Sequence, residues 1–164
     1  MTVLSSSTRD LLIFEHEPGY GAGLWRNVFA TIWRDAPTLE HLRRLEAHQQ
    51  EVTRRCPAGF VALAVLPSRH INMSRELREA AEHLSTHPSP ALMAVAEVIT
   101  GDGFVAATTR MIAMGMALLN RRTPTKLFAS LEEAAIWVCQ RSAAIAGTSR
   151  FTPTEMMAAL AELA

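Results

Sequence analysis

The chain has few of the features that mark secreted, nucleic-acid-binding or membrane-spanning proteins. Its 164 residues include only two cysteines, and 16 Lys and Arg are balanced by 16 Asp and Glu, so the formal net charge is zero. Two cysteines do not make a disulfide scaffold, and a chain without basic excess is not typical of proteins that bind nucleic acid or anionic membranes. The longest apolar run, residues 111–119, is far shorter than the ~20 residues of a membrane helix.

The N-terminus has neither the basic segment nor the apolar segment of a secretory signal, so we expect a cytoplasmic protein. Hydrophobic residues make up 49% of the chain and charged residues 20%, a composition that excludes disorder. The length suits one compact domain. We expect a flexible arm over residues 1–9, one domain over residues 10–147 and an amphipathic helix within residues 148–164.

The residue pattern predicts strands first and then an alternation of helices and strands. Residues 10–17 and 24–34 are expected to be antiparallel strands joined by a glycine-rich reversal over residues 18–23. The later strands are predicted at residues 60–66, 92–99 and 126–129, of which the first two are apolar on both faces, as in the centre of a parallel sheet. Helices are predicted between these strands. Two further helices are predicted after the last strand, one from Ser130 to about residue 147 and one over residues 153–164.

The element order is therefore ββαβαβαβαα. It predicts an α/β fold with a mostly parallel sheet, an N-terminal antiparallel hairpin and helices covering the sheet. This order resembles that of the STAS domain, the small fold of bacterial anti-sigma-factor antagonists and of sulfate-transporter tails. The resemblance covers roughly residues 10–147, and residues 126–137 look like the closing strand and helix of many such bacterial domains.

The resemblance implies a regulatory, protein-binding function and one candidate phosphorylation site. In regulatory STAS domains, a serine or threonine at the start of the helix after the central strand is phosphorylated. Ser74 occupies this kind of place, although Asn72 and Arg75 stand where the family motif has an acid and a glycine. The alternative is that Ser74 or Asn72 simply caps the helix.

Candidate ligand-binding residues lie in the loops that follow the two central strands, where α/β folds place their binding crevices. They are Ser68, His70, Gly101, Asp102 and Gly103. Residues 101–106 fit the spacing G-x-G-x-x-A of a dinucleotide-binding turn. However, Asp102 would bring a negative charge beside a phosphate, and glycines also suit any tight turn, so we expect no nucleotide and no other cofactor.

Two groups of methionines have alternative interpretations. Met111 and Met114, on the predicted helix after Gly103, either pack in the core or line a cavity for a small apolar ligand. In the last helix, Met156, Met157, Leu160 and Leu163 must pack on something, because so short a helix is not stable alone in water. The parent domain, a second copy in a homodimer and another protein are the three possibilities.

Histidines and cysteines do not form a recognisable catalytic or metal motif. His83 and His87 share a helical face with Glu79, as do His41 and His48 on the preceding helix, but solvated polar faces are the better explanation and we expect no metal. Cys139 is expected in the core, and Cys56 lacks a paired base. The prediction is a non-catalytic cytoplasmic interaction or regulatory module, with an apolar-ligand carrier or an enzyme acting near His70 as alternatives.

Overall fold

The computed structural model describes residues 10–67, 74–101, 110, 114 and 122–164. The strands are β1 (Leu11–Glu17), β2 (Tyr20–Trp25), β3 (Val28–Trp33), β4 (Phe60–Leu66), β5 (Leu92–Ile99) and β6 (Thr125–Phe128). The helices are α1 (Leu39–Arg55), α2 (Arg75–Thr86), α3 (Leu131–Ala143) and α4 (Pro153–Leu160), and a short 3₁₀ helix follows at Ala161–Leu163. Arg110 and Met114, within the helix predicted after β5, are also helical.

The described strands form one six-stranded sheet whose spatial order follows the chain, from β1 to β6. β1, β2 and β3 pair antiparallel, whereas β3, β4, β5 and β6 pair parallel. The α/β class and the mixed sheet predicted from the sequence are confirmed. The two apolar segments at residues 60–66 and 92–99 are indeed parallel neighbours inside the sheet.

The N-terminal part contains one strand more than predicted. Residues 20–25 form β2, although residues 18–23 were predicted as a reversal. The single strand predicted over residues 24–34 is divided by a turn at Arg26 and Asn27, where Arg26 has a left-handed φ of 54°. The glycines of β2 serve close packing, since a Cβ atom on Gly23 would lie 3.1 Å from the side chain of Leu163. The sequence prediction was wrong here because it read these glycines as turn residues.

The two faces of the sheet carry separate cores, because successive side chains along each strand point to opposite sides. On one face, Phe29 and Phe60 pack in a cluster with Val52 of α1 and Leu77 of α2. On the other face, Trp25, Val61 and Leu63 pack in a cluster with Val138 of α3 and with the C-terminal helix. β4 and β5 are therefore covered on both sides.

The helix starts follow from side-chain caps. The hydroxyl of Ser130 accepts a hydrogen bond from the backbone N–H of Glu133 at 3.3 Å, as predicted for the start of α3. At the start of α4, Thr152 accepts from the backbone N–H of Glu155, and the Glu155 carboxylate accepts from the backbone N–H of Thr152 at 2.7 Å. Both starts were readable from the sequence because a cap needs only neighbouring residues.

Within residues 10–67, 74–101 and 122–164, no helix is both long and apolar enough to cross a lipid bilayer.

Candidate functional site

Most of the predicted ligand-binding residues follow β4 and β5 in the sequence. Ser68, His70, Asp102, Gly103 and Met111 lie outside the residues that the structure describes. Gly101 is the second residue after the end of β5, is exposed and has a φ of 99°, a left-handed conformation that glycine adopts readily. The guanidinium of Arg110 donates hydrogen bonds to the carbonyl oxygens of Ile99 at 2.9 Å and Gly101 at 2.7 Å. Arg110 thus ties the end of β5 to the following helical segment.

Met114, the second methionine predicted to line an apolar cavity, is 54% exposed. A side chain with half of its surface in solvent does not line an enclosed cavity. Nothing among the described residues therefore supports Met114 as part of a closed ligand site.

Ser74 is the N-cap of α2. Its hydroxyl oxygen accepts a hydrogen bond from the backbone N–H of Leu77 at 3.2 Å, and the residue is exposed. The capping role expected as the alternative is therefore present in the structure. Phosphorylation of Ser74 stays a prediction.

The apolar side chains of the C-terminal helix are covered by the domain itself. Met156, Leu160 and Leu163 are buried in the core beside α3 and β2, and Met157 is partly buried against the same cluster. The backbone carbonyl of Leu163 also accepts a hydrogen bond from Arg34 at 2.8 Å. Of the three possibilities left open by the sequence, the structure shows packing on the parent domain, so these side chains do not form a partner-binding surface.

An open groove lies at the β6 edge of the sheet, beside α3. It has a volume of about 370 Å³ and is lined by Lys126, Leu127, Phe128, Ala129, Glu133, Ile136, Trp137 and Gln140. Ile136 is 53% exposed, and the rings of Phe128 and Trp137 lie 5.8 Å apart. The groove therefore offers an apolar surface at the outer edge of the described sheet. The sequence did not predict this groove, because the groove is formed by a strand and a helix that come together only in the folded chain.

Cations lie over the two aromatic rings of this groove. The ammonium of Lys126 is 5.2 Å from the ring centre of Phe128, and the guanidinium of Arg141 is 5.0 Å from the ring centre of Trp137. Both distances are within the range of cation–π attraction. Together with the carboxylate of Glu133, they give the rim of the groove charges of both signs.

A second group of polar side chains lies between the N-terminal strands and α1; we call it the Glu15 cluster. It consists of Glu15, Glu17, Tyr20, His41, Arg44 and His48. A hydrogen bond of 2.6 Å joins His48 Nε2 to Glu15 Oε1, and the guanidinium of Arg44 lies 3.1 Å from Glu15 Oε2 and 2.8 Å from Glu17 Oε1. The side chain of Glu15 is only 9% exposed. The cluster is thus a partly buried ion network that ties β1 to α1.

The hydrogen bonds of the Glu15 cluster fix the orientation of one histidine. His41 Nδ1 accepts a hydrogen bond from the backbone N–H of Thr38 at 3.2 Å, so the neutral ring carries its proton on Nε2. That nitrogen lies 3.6 Å from the carboxylate of Glu17. A hydrogen bond and the positive charge of Arg44 hold the pKa of Glu17 below its usual range. The interpretation of His41 and His48 as a solvated face was therefore wrong.

A signal for this cluster does exist in the sequence. Glu15 and Glu17 alternate along β1, and His41, Arg44 and His48 recur every three or four residues along α1, which places them on one helical face. Two facing polar stripes predict a contact only if the strand and the helix are known to pack together. The packing of β1 against α1 is known only from the tertiary structure.

Glu97 is a carboxylic acid near the middle of the sheet. It lies in β5, in register with Ala64 of β4 and Leu127 of β6, on the same face as α1 and α2. Its Oε2 atom has no hydrogen-bond partner among the described residues, and burial raises the pKa of Glu97 to about 7. Its carboxyl group therefore titrates near neutral pH.

The remaining candidates for metal or nucleophile chemistry are not assembled into a site. Within the described part of the chain, no three His, Cys, Asp or Glu side chains converge as metal ligands. The rings of His83 and His87 stack on each other at 4.5 Å, and the carboxylate of Glu79 is engaged by Arg75. Burial raises the pKa of Cys139 to about 11 and also raises that of Cys56, so both thiols are protonated at neutral pH.

Comparison with known proteins gave no match: no family model fits the chain, and neither curated proteins nor solved structures resemble it significantly. Its function must therefore be argued from its own residues.

Proposed function

We propose that this chain is a non-catalytic protein-interaction module whose partner is a second copy of itself, bound at the groove between β6 and α3. The observation that supports this proposal is the exposed apolar surface of Ile136 beside the aromatic rings of Phe128 and Trp137. Exposed apolar patches of this kind mark interaction sites, and a sheet edge is a frequent place for them.

The charges on the groove favour a second copy over an unrelated partner. In a twofold contact the same patch meets itself, so a patch of one sign would repel its copy. Here Lys126 and Glu133 line the same groove, so a twofold contact in which Lys126 of one copy faces Glu133 of the other is attractive. The formal net charge of zero also leaves no general repulsion between copies.

The resemblance to STAS domains supports a regulatory use of this interaction. In that interpretation Ser74 is modified by a partner kinase, and the added charge changes what the domain binds. The exposure of Ser74 is compatible with modification, and its capping hydrogen bond is the structural role that any modification must replace.

The experiment is sedimentation velocity over a wide range of protein concentrations. We expect a concentration-dependent dimer for the wild-type chain and a monomer for Ile136→Asp, since a buried unpaired carboxylate opposes the contact. Ile13→Asp is the matched control, because Ile13 is 42% exposed on β1 at the opposite edge of the sheet. A dimer that is lost in Ile13→Asp but kept in Ile136→Asp would contradict the proposed surface.

Charge reversal tests the pairing directly. Lys126→Glu and Glu133→Lys should each weaken the dimer, and the double variant should restore it because the opposite charges again face each other. A wild-type chain that stays monomeric at every concentration, or a double variant weaker than both single variants, would overturn self-association through this groove.

A further inference from the structure

The Glu15 cluster contains three buried polar atoms without a hydrogen-bond partner among the described residues. They are the hydroxyl oxygen of Tyr20, Nε of Arg44, and Oε2 of Glu15, which is in an ion pair with Arg44 Nη1 at 3.1 Å but makes no hydrogen bond. Most of the other polar atoms of these side chains are engaged, since Glu15 Oε1 binds His48 and Arg44 Nη1 binds Glu17. Buried polar atoms in folded proteins are nearly always satisfied, so three together require an explanation.

The three atoms belong to side chains on three different elements, β2, β1 and α1. Tyr20 is on β2, paired in register with Glu17 of β1, and two residues further along each strand Glu15 pairs with Ala22. Their side chains therefore project from the same face of the sheet, with only the methyl group of Ala22 beside Glu15. Arg44 reaches the same place from α1 and lies 3.1 Å from Glu15 Oε2.

The electrostatics agree with this proximity. Burial raises the pKa of Tyr20 above its usual value, and the negative charge of Glu15 raises it further, while Arg44 opposes the shift. The Tyr20 ring is fully buried, packed at 4.1 Å from Trp33 and 5.1 Å from His41. The hydroxyl group therefore stays protonated and cannot turn out to solvent.

We propose that Tyr20, Glu15 and Arg44 bind one ordered water molecule between β1, β2 and α1. The water accepts hydrogen bonds from the Arg44 Nε–H and the Tyr20 hydroxyl and donates one to Glu15 Oε2. Three hydrogen bonds are the usual number for a buried water, and each atom here has the complementary role.

The site extends the Glu15–His48 hydrogen bond into a chain that runs from the fully buried Tyr20 to the partly exposed His48. Through the water, Tyr20 of β2 is joined to Glu15 of β1 and to Arg44 of α1. This inference is independent of the β6–α3 groove, which lies at the other edge of the sheet.

The number of long-lived waters tests the proposal. Oxygen-17 relaxation dispersion of the solvent signal counts water molecules held inside the protein. Tyr20→Phe removes one donor and Arg44→Lys removes Nε while keeping the positive charge, so each should lower the dispersion amplitude relative to the wild-type chain. Trp33→Phe is the control for a changed aromatic ring in the same core, and it should keep the wild-type amplitude.

A crystal structure at high resolution gives the second measurement. We expect a single density peak within hydrogen-bonding distance of the Tyr20 hydroxyl, Glu15 Oε2 and Arg44 Nε, and its loss in Tyr20→Phe. Equal dispersion amplitudes in the wild-type chain and in both variants would overturn the proposal. So would a direct bond from Tyr20 to a protein atom, or density too large for water.

Discussion

The side chains of Glu15 and His48 share a hydrogen bond of 2.6 Å although they lie on a strand and a helix 33 residues apart. A bulge in β1 makes this contact possible, since the pairing with β2 shifts between Ile13 and Glu15. As a result, Phe14 and Glu15 both contact His48. The Phe14 ring stacks on the imidazole with 5.0 Å between the ring centres, and the Glu15 carboxylate shares a hydrogen bond with the imidazole Nε2. One histidine thus joins the N-terminal strand to α1 by two different interactions.

Removal of His48 should destabilise the fold through both interactions. We expect His48→Ala to lower the free energy of unfolding by about 2 kcal/mol, because a partly buried carboxylate loses its partner. His48→Phe keeps the ring but not the hydrogen bond and should recover only part of the loss. Urea unfolding measures both. His16→Ala, an exposed change on the same strand, should stay within about 0.5 kcal/mol of wild type; an equal effect of His16→Ala would contradict this account.

Glu97 should make the protein less stable as the pH rises from about 4.5 to about 7. Its pKa is about 7 in the folded chain against an ordinary 4.5. Between these values the unfolded chain releases the proton that the folded chain retains, so stability falls with rising pH and levels off above pH 7. At about 1.4 kcal/mol per pH unit, the loss amounts to about 3 kcal/mol.

Glu97→Gln removes this titration. We expect the variant to be more stable than wild type above neutral pH and to differ little from it in acid, as measured by urea unfolding at a series of pH values. Glu132→Gln, at an exposed position on α3, is the control. Parallel pH profiles of wild type and Glu97→Gln would show that Glu97 is not the group responsible.

The C-terminal 3₁₀ helix should contribute strongly to stability. Leu163 is fully buried and its side chain packs beside Gly23. Leu163→Ala should cost about 3 kcal/mol, as expected for a large-to-small change in a core, and thermal unfolding will measure the loss. The neighbouring Glu162 is exposed, so Glu162→Ala should leave the melting temperature almost unchanged. Equal melting temperatures for the two variants would mean that this segment has no structural function.

Ser74 should act as a helix cap whether or not it is phosphorylated. Ser74→Ala removes the acceptor for the Leu77 N–H and should cost about 1 kcal/mol, whereas Ser74→Asp should retain most of the stability. Chemical denaturation compares the two variants.

The regulatory hypothesis for Ser74 makes a separate prediction about binding. If the added charge acts as a switch, Ser74→Glu should disrupt a partner complex that Ser74→Ala preserves. Isothermal titration with the isolated partner, or sedimentation where the partner is a second copy, measures the difference. The same affinity for both variants would exclude a charge-driven switch at this residue.

Much of the fold was readable from local pattern. The continuous apolar runs at residues 60–66 and 92–99 identified the two central strands, because only a strand covered on both faces is apolar at every position. The caps at Ser130 and Thr152 were equally readable, since each involves residues three positions apart. The strand at residues 20–25 was missed because Gly21 and Gly23 permit both a turn and a close approach, and only Leu163 packed against β2 distinguishes them.

The sequence by itself therefore determined the class of fold, the central strands and the parallel direction of the later ones, since these depend on periodicity and on short-range caps. The tertiary structure alone decided which side chains meet: Glu15 with His48, Glu17 with Arg44, and Phe128 with Trp137 at the open edge. These pairs lie on different elements, and their contacts depend on how a helix rests on the sheet. Residue spacing along the chain does not show how a helix is placed on the sheet, so the candidate sites became visible only in the folded chain.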